Sequence, residues 1–173
     1  MAVVAAVLAA VAALVTLVPW FEVLPAYSAL TGYVGEAASL FGLGPESSLA
    51  FEESYGVWGL PALAGTFGEY ALLYGSFGGE GADAAAMLVA VVAWGCVALC
   101  LFAVVLLVWG TVDGLRKGAK GKLVTGAVVA VLAFAAFQVF ASLAGDLGQT
   151  TIFPAVFLAA SLGALACSFA LKR

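Results

Sequence analysis

The chain has 173 residues, 65% of them hydrophobic and 9% charged, with a net charge of −4. Soluble domains carry about 25% charged residues, so this composition excludes a water-soluble globule and predicts an integral membrane protein. The absence of His excludes Ser-His-Asp and Cys-His catalytic sets, His-ligated haem and His-containing zinc sites, and the acidic balance argues against nucleic-acid binding.

The first apolar run, residues 2–19, contains no charged residue. As a helix it would extend about 27 Å, just enough for a hydrocarbon core of about 30 Å. It carries no Lys or Arg ahead of its apolar stretch, so it reads as a retained span and not as a cleaved signal peptide. Trp20 directly after it reads as an interfacial anchor.

Residues 20–83 form a long polar segment holding eight acids, no Lys or Arg, and twelve of the twenty-one aromatic residues. Disordered linkers are poor in aromatics, so the segment is expected to fold. Trp20-Phe21-Glu22-Val23-Leu24 and Ser48 to Tyr55 read as short strands, with Gly42-Leu43-Gly44-Pro45 as a turn between them. From Leu60 the period changes: Pro61 suits a first helical turn, and Leu60, Leu63, Phe67, Tyr70 and Tyr74 follow at steps of three and four, predicting a short aromatic-faced helix. Trp20, Trp58, Phe67, Tyr70 and Tyr74 are the candidate interaction residues of this loop.

The second run, residues 84–112, is longer than a bilayer requires and is expected to tilt or project. It carries Cys96 and Cys100 one turn apart, for which core packing is the simplest reading, and Trp109 near its end. Residues 113–122 form a short basic loop. The third run, residues 123–145, places Gln138 and Ser142 on one face, where polar side chains hydrogen-bond between helices. Asp146 to Thr151 reads as a tight polar turn. The fourth run begins at 147 and ends at 171, and it carries Ala155, Ala159, Gly163 and Cys167 at every fourth position. This small-residue stripe permits close approach of another helix, within the bundle or from another protein.

All six basic residues, Arg116, Lys117, Lys120, Lys122, Lys172 and Arg173, lie between the second and third runs or at the C-terminal end. The positive-inside rule therefore predicts four spans, both termini in the cytoplasm, the 20–83 loop outside and the protein in the cell membrane. The inner basic cluster also fits contact with anionic lipid.

Four spans, a long first outer loop with strands and a pre-span helix, a short basic inner loop, and Trp20 followed later by Gly56-Val57-Trp58 resemble the claudin and peripheral-myelin-protein tetraspan architecture. The two loop cysteines of that family are absent, because Cys96, Cys100 and Cys167 all fall in apolar runs. The Ala, Gly and Val bias and the Pro19-Trp20-Phe21 exit from the first run are equally similar to small bacterial four-span proteins. The resemblance implies a scaffold that binds partner proteins or its own copies through its outer loop and helix faces.

The expected fold class is an all-α membrane protein, a four-helix bundle with a folded outer loop, forming one domain. No charged residue lies within a run, which disfavours a transporter or channel subunit. No nucleophile pairs with the outer carboxylates, which disfavours a membrane enzyme. No cofactor or metal is expected; the Glu52-Glu53 pair and Gly78 to Asp83 match no calcium-loop spacing.

Overall fold

A computed structural model of the chain describes residues 2–27, 29, 33, 51–76, 81–117 and 121–170. It is mostly helical, with helices α1 (Ala2–Val15), α2 (Leu60–Ser76), α3 (Ala82–Lys117), α4 (Gly121–Ala144) and α5 (Phe153–Ala170). Strands β1 (Pro19–Val23), β2 (Ser54–Gly56) and β3 (Gly148–Thr150) complete the elements.

Two helices, α3 and α4, are long and apolar enough to cross a membrane. Only 28% of the most apolar stretch of α3 is buried within the protein. A core helix of a soluble protein would be largely covered, whereas a helix apolar on all sides is suited to lipid. α1 and α5 are shorter apolar helices.

α3 and α4 make the most extensive helix pair, α1 lies against α5 and α3, and α2 lies along α3. The α3–α4 crossing is close because each helix presents a glycine to the other. A Cβ on Gly110 would sit 2.8 Å from the Leu123 nitrogen, and one on Gly126 would sit 3.1 Å from the Leu107 nitrogen. Backbone atoms cannot swing aside as side chains do, so both positions depend on hydrogen in place of a side chain.

At the other end of the bundle the three strands form a sheet in the order β2-β1-β3, with both pairings antiparallel. The expected strand over 20–24 is β1, and the expected Ser48 to Tyr55 strand narrows to Ser54–Gly56 among the described residues. The turn expected at 42–45 lies outside the described residues. The expected aromatic-faced helix is α2, whose Leu60 and Leu63 are buried.

Three local expectations are corrected. The helix at the start of the chain stops at Val15 rather than continuing to Pro19. Thr16 and Leu17 instead donate backbone N–H groups back to Ala13 and Leu14 in a tightened last turn, and Pro19 already belongs to β1. Asp146 to Thr151 is not a simple turn: a 3-10 turn, Gly145–Leu147, leads into β3, so the last helix begins at Phe153. Gly148 permits this docking, since a side chain there would run into the Glu22 carbonyl and the Phe21 ring. Finally, α3 continues five residues past Val112 to Lys117, because Asp113, Leu115, Arg116 and Lys117 can extend a helix once it is nucleated.

Candidate functional site

β1 joins the sheet to the bundle through an irregularity in its pairing. Pro19 opposes Gly56 and Phe21 opposes Tyr55, so Trp20 is an extra residue in a β-bulge. A regular strand points neighbouring side chains to opposite faces. The bulge lets Trp20 and Phe21 both turn inward, and both are buried. The Trp20 ring lies 5.3 Å from Phe137 and 5.3 Å from Phe157, and Phe21 lies 6.2 Å from Phe140. Its Nε1–H donates to the Val15 carbonyl at 2.8 Å. That carbonyl is in the last turn of α1, where no intrahelical donor remains, so one side chain caps α1 and bridges α4 and α5.

This placement corrects the expectation for Trp20. It is wholly buried, so it is neither a headgroup anchor nor an outward contact residue. Of the other outer candidates, Trp58 is exposed, Phe67 is half-buried, and Tyr70 stacks on Phe51 with ring centroids 5.4 Å apart. The Tyr74 side chain lies outside the described residues. Burial raises the Tyr70 phenol above its ordinary value. Tyr55 is raised as well, chiefly by burial, against the lowering effect of the Glu52 N–H that donates to its phenolic oxygen at 2.8 Å.

The solvent side of the sheet carries a groove of about 430 Å³ lined by Glu22, Val23, Leu24, Pro25, Glu53, Ser54 and Gln149. β1 places Glu22 outward, β3 places Gln149 beside it, and the Gln149 amide donates to Glu22 at 3.5 Å. Backbone bonds on both sides hold the rim: Val23 N–H donates to Glu53 and Leu24 N–H to Leu147, each at 3.0 Å. The groove is rich in acceptors, with an apolar wall from Val23, Leu24 and Pro25. Among the described residues, no cluster of three His, Cys, Asp or Glu side chains is placed to hold a metal. The contribution of Gln149 was not legible, because residues 146–151 gave only a turn signal.

At the opposite end, Lys122 pairs with Asp113 at 2.5 Å and lies 3.6 Å over the Trp109 ring. Of the other orientation residues, Arg116 and Lys117 occupy the last turn of α3, while Lys120, Lys172 and Arg173 lie outside the described residues.

The candidate helix faces divide. On α5 the buried row is Pro154, Phe157, Ala160, Ser161 and Ala164, whereas Ala155 and Ala159 face outward. Gly163 meets Leu8 of α1, 3.1 Å from where its Cβ would stand, and Cys167 is half-buried. Gln138 and Ser142 both point outward. The Ser142 hydroxyl donates to Val139 of its own helix at 2.7 Å; Gln138 and Ser142 therefore do not join helices within the bundle. The reason is rotational: α4 turns Phe137, Phe140, Ala133 and Ala130 inward, leaving their neighbours outside. Cys96 and Cys100 are fully buried in α3.

Comparison with family models, curated proteins and solved structures returns no match.

Proposed function

We propose that the chain is a four-span membrane protein of claudin-like outline, with both termini in the cytoplasm, that acts as a scaffold and not as a catalyst. Its working surfaces are the acceptor-rich outer sheet, the exposed Trp58, and the outward stripe of Ala155 and Ala159, which contact partner proteins or further copies of the chain.

The observation that carries this reading is the sorting of the surface. Exposed apolar side chains run along α3 from Met87 through Val91, Trp94, Leu101, Phe102, Val105 and Val108 to Val112. Glu22, Glu53 and Gln149 gather on the sheet beyond one end of the bundle, and the basic residues of α3 and α4 gather at the other. A band of hydrocarbon between two polar ends, with the cations among the described residues at one end, fits a bilayer crossed in a single orientation. α3 has 36 residues, about 54 Å of helix, so it exceeds a core of about 30 Å. Its surplus supports α2 outside, where Gly68 of α2 approaches Ala86.

Cysteine-accessibility labelling of intact cells tests the topology. In a Cys167→Ala background, Glu53→Cys should react with an impermeant thiol reagent, and Gly118→Cys should react only after permeabilisation. The reverse pattern would overturn the orientation. Purified protein in liposomes should leave ion and solute gradients intact; dissipation of a gradient would replace the scaffold by a transporter.

A further inference from the structure

We propose that the groove on the solvent side of the sheet docks a basic segment of a different protein, with one Arg or Lys side chain of that segment lying in it. The proposal rests on the scaffold reading above and deepens it, because it says which partner the sheet accepts.

The strands dictate what lines the groove. Antiparallel pairing sets Ser54 of β2 and Gln149 of β3 on either side of Glu22 of β1, so one cross-strand row carries a hydroxyl, a carboxylate and an amide. Trp20 and Phe21 turn into the bundle, and Glu22 is left exposed on the other face. Glu53, the residue before β2, is exposed as well. A carboxylate is an acceptor only, with room for about four hydrogen bonds. Glu22 accepts from Gln149, and among the described residues neither Glu22 nor Glu53 meets a cation. Beside them Val23, Leu24 and Pro25 form a hydrocarbon wall.

Acceptors next to an apolar wall select the occupant. Arg and Lys lay their methylene stems along apolar surface and carry the charge at the tip, so the stem matches the wall and the tip matches the carboxylates. A bare divalent cation does not match. Calcium takes about six to eight oxygen ligands, whereas among the described residues no group of three acids is placed to hold a metal. At about 30 Å³ per water, the groove of about 430 Å³ also has far more room than one ion fills.

Charge rules out a second copy as the source of the segment. Residues 19–56 and 145–152, which supply the strands and the groove, contain no Lys or Arg. Lys122 lies at the other end of the bundle, paired with Asp113. Copies inserted side by side in one direction, whichever it is, therefore bring acid to acid at this face. The cation must come from a different chain.

The test uses the full chain, labelled with nitrogen-15, in micelles of an uncharged detergent. The probes are the peptide acetyl-Leu-Arg-Leu-amide, the same peptide with Gln in place of Arg, and calcium chloride. The Arg peptide should shift the backbone amide signals of Glu22, Ser54 and Gln149 to saturation, and its affinity should fall as salt is raised. Glu22→Gln with Glu53→Gln should weaken it by about fivefold for each charge removed.

Equal response to the Arg and Gln peptides would overturn the charge selection, and shifts confined to residues away from the sheet would overturn the site. Saturation of the same signals by calcium in preference to the Arg peptide would replace the protein segment by a metal ion. Should the double variant lose its strand signals, Glu53→Gln alone, outside the strands, must give a fivefold loss. The titration reads neither orientation nor gradient retention. A groove that ignores the peptide therefore leaves the scaffold standing, and a dissipated gradient in liposomes removes the scaffold without touching the groove.

Discussion

Among single residues, Trp20 holds the sheet end of the bundle together most directly, because its ring fills the space between Phe137 and Phe157 and its indole caps α1. The two contributions are separable. Trp20→Phe keeps an aromatic ring but leaves the Val15 carbonyl without its donor, which costs about 1–3 kcal/mol. Trp20→Ala also empties the cluster, and large aromatic truncations cost about 3–5 kcal/mol. Unfolding in mixed detergent micelles should rank wild type above Trp20→Phe and Trp20→Phe above Trp20→Ala. Tyr55 provides a titration at the same scale. Its folded-state pKa is raised above the ordinary 10.0, chiefly by burial, so the folded state holds the proton more tightly than the unfolded state does. Stability from Tyr55 is thus fully present below pH 10 and is lost as pH rises through the folded value. In Tyr55→Phe that alkaline loss should shrink, as measured by unfolding at increasing pH above the ordinary tyrosine value.

At the scale of elements, glycines in similar helical contexts have opposite consequences. Gly110 faces the backbone of α4 at the α3–α4 crossing, so Gly110→Ala forces the helices apart and should destabilise by about 1–3 kcal/mol. Gly65 of α2 has open space around its Cβ position, and Gly65→Ala should stabilise by about 0.5–1 kcal/mol through helix propensity. The same unfolding measurement should move in opposite directions for the two variants; a loss of stability in both would mean that the close crossing does not control it. Elements with a strong internal signal were legible before the structure: the Leu60, Leu63, Phe67 stripe marked α2, and the Trp20 to Leu24 run marked β1. β3 was not legible, because Gly148, Gln149 and Thr150 are too few to show a period, and they become a strand only by pairing with β1. Nor was the inward face of Trp20 legible. Alternation along β1 predicts opposite faces for Trp20 and Phe21, and only the bulge, which depends on the register against β2, turns both inward.

For the whole molecule, the proposed orientation rests on few charges, and their placement would make it easy to perturb. Arg116, Lys117, Lys120 and Lys122 make up four of the six basic residues, all between the second and third apolar runs, while residues 20–83 hold none to compete with them. Lys122 also folds back onto Asp113 and Trp109. The pair is only partly exposed; surface ion pairs contribute about 0–1 kcal/mol and exposed cation–π contacts about 0.5–1 kcal/mol, so this clasp is a local contribution and not what holds the bundle together. The proposed insertion bias would follow from the cluster as a set of charges, whatever each contributes once folded. Replacing the four with Gln leaves only Lys172 and Arg173 to hold the orientation. Glu53→Cys should then label from both sides of the membrane in a mixed population, whereas Lys122→Gln alone should leave labelling exclusively external. Exclusive external labelling of the fourfold variant would mean that the apolar runs, through their lengths and order, determine orientation without the charges.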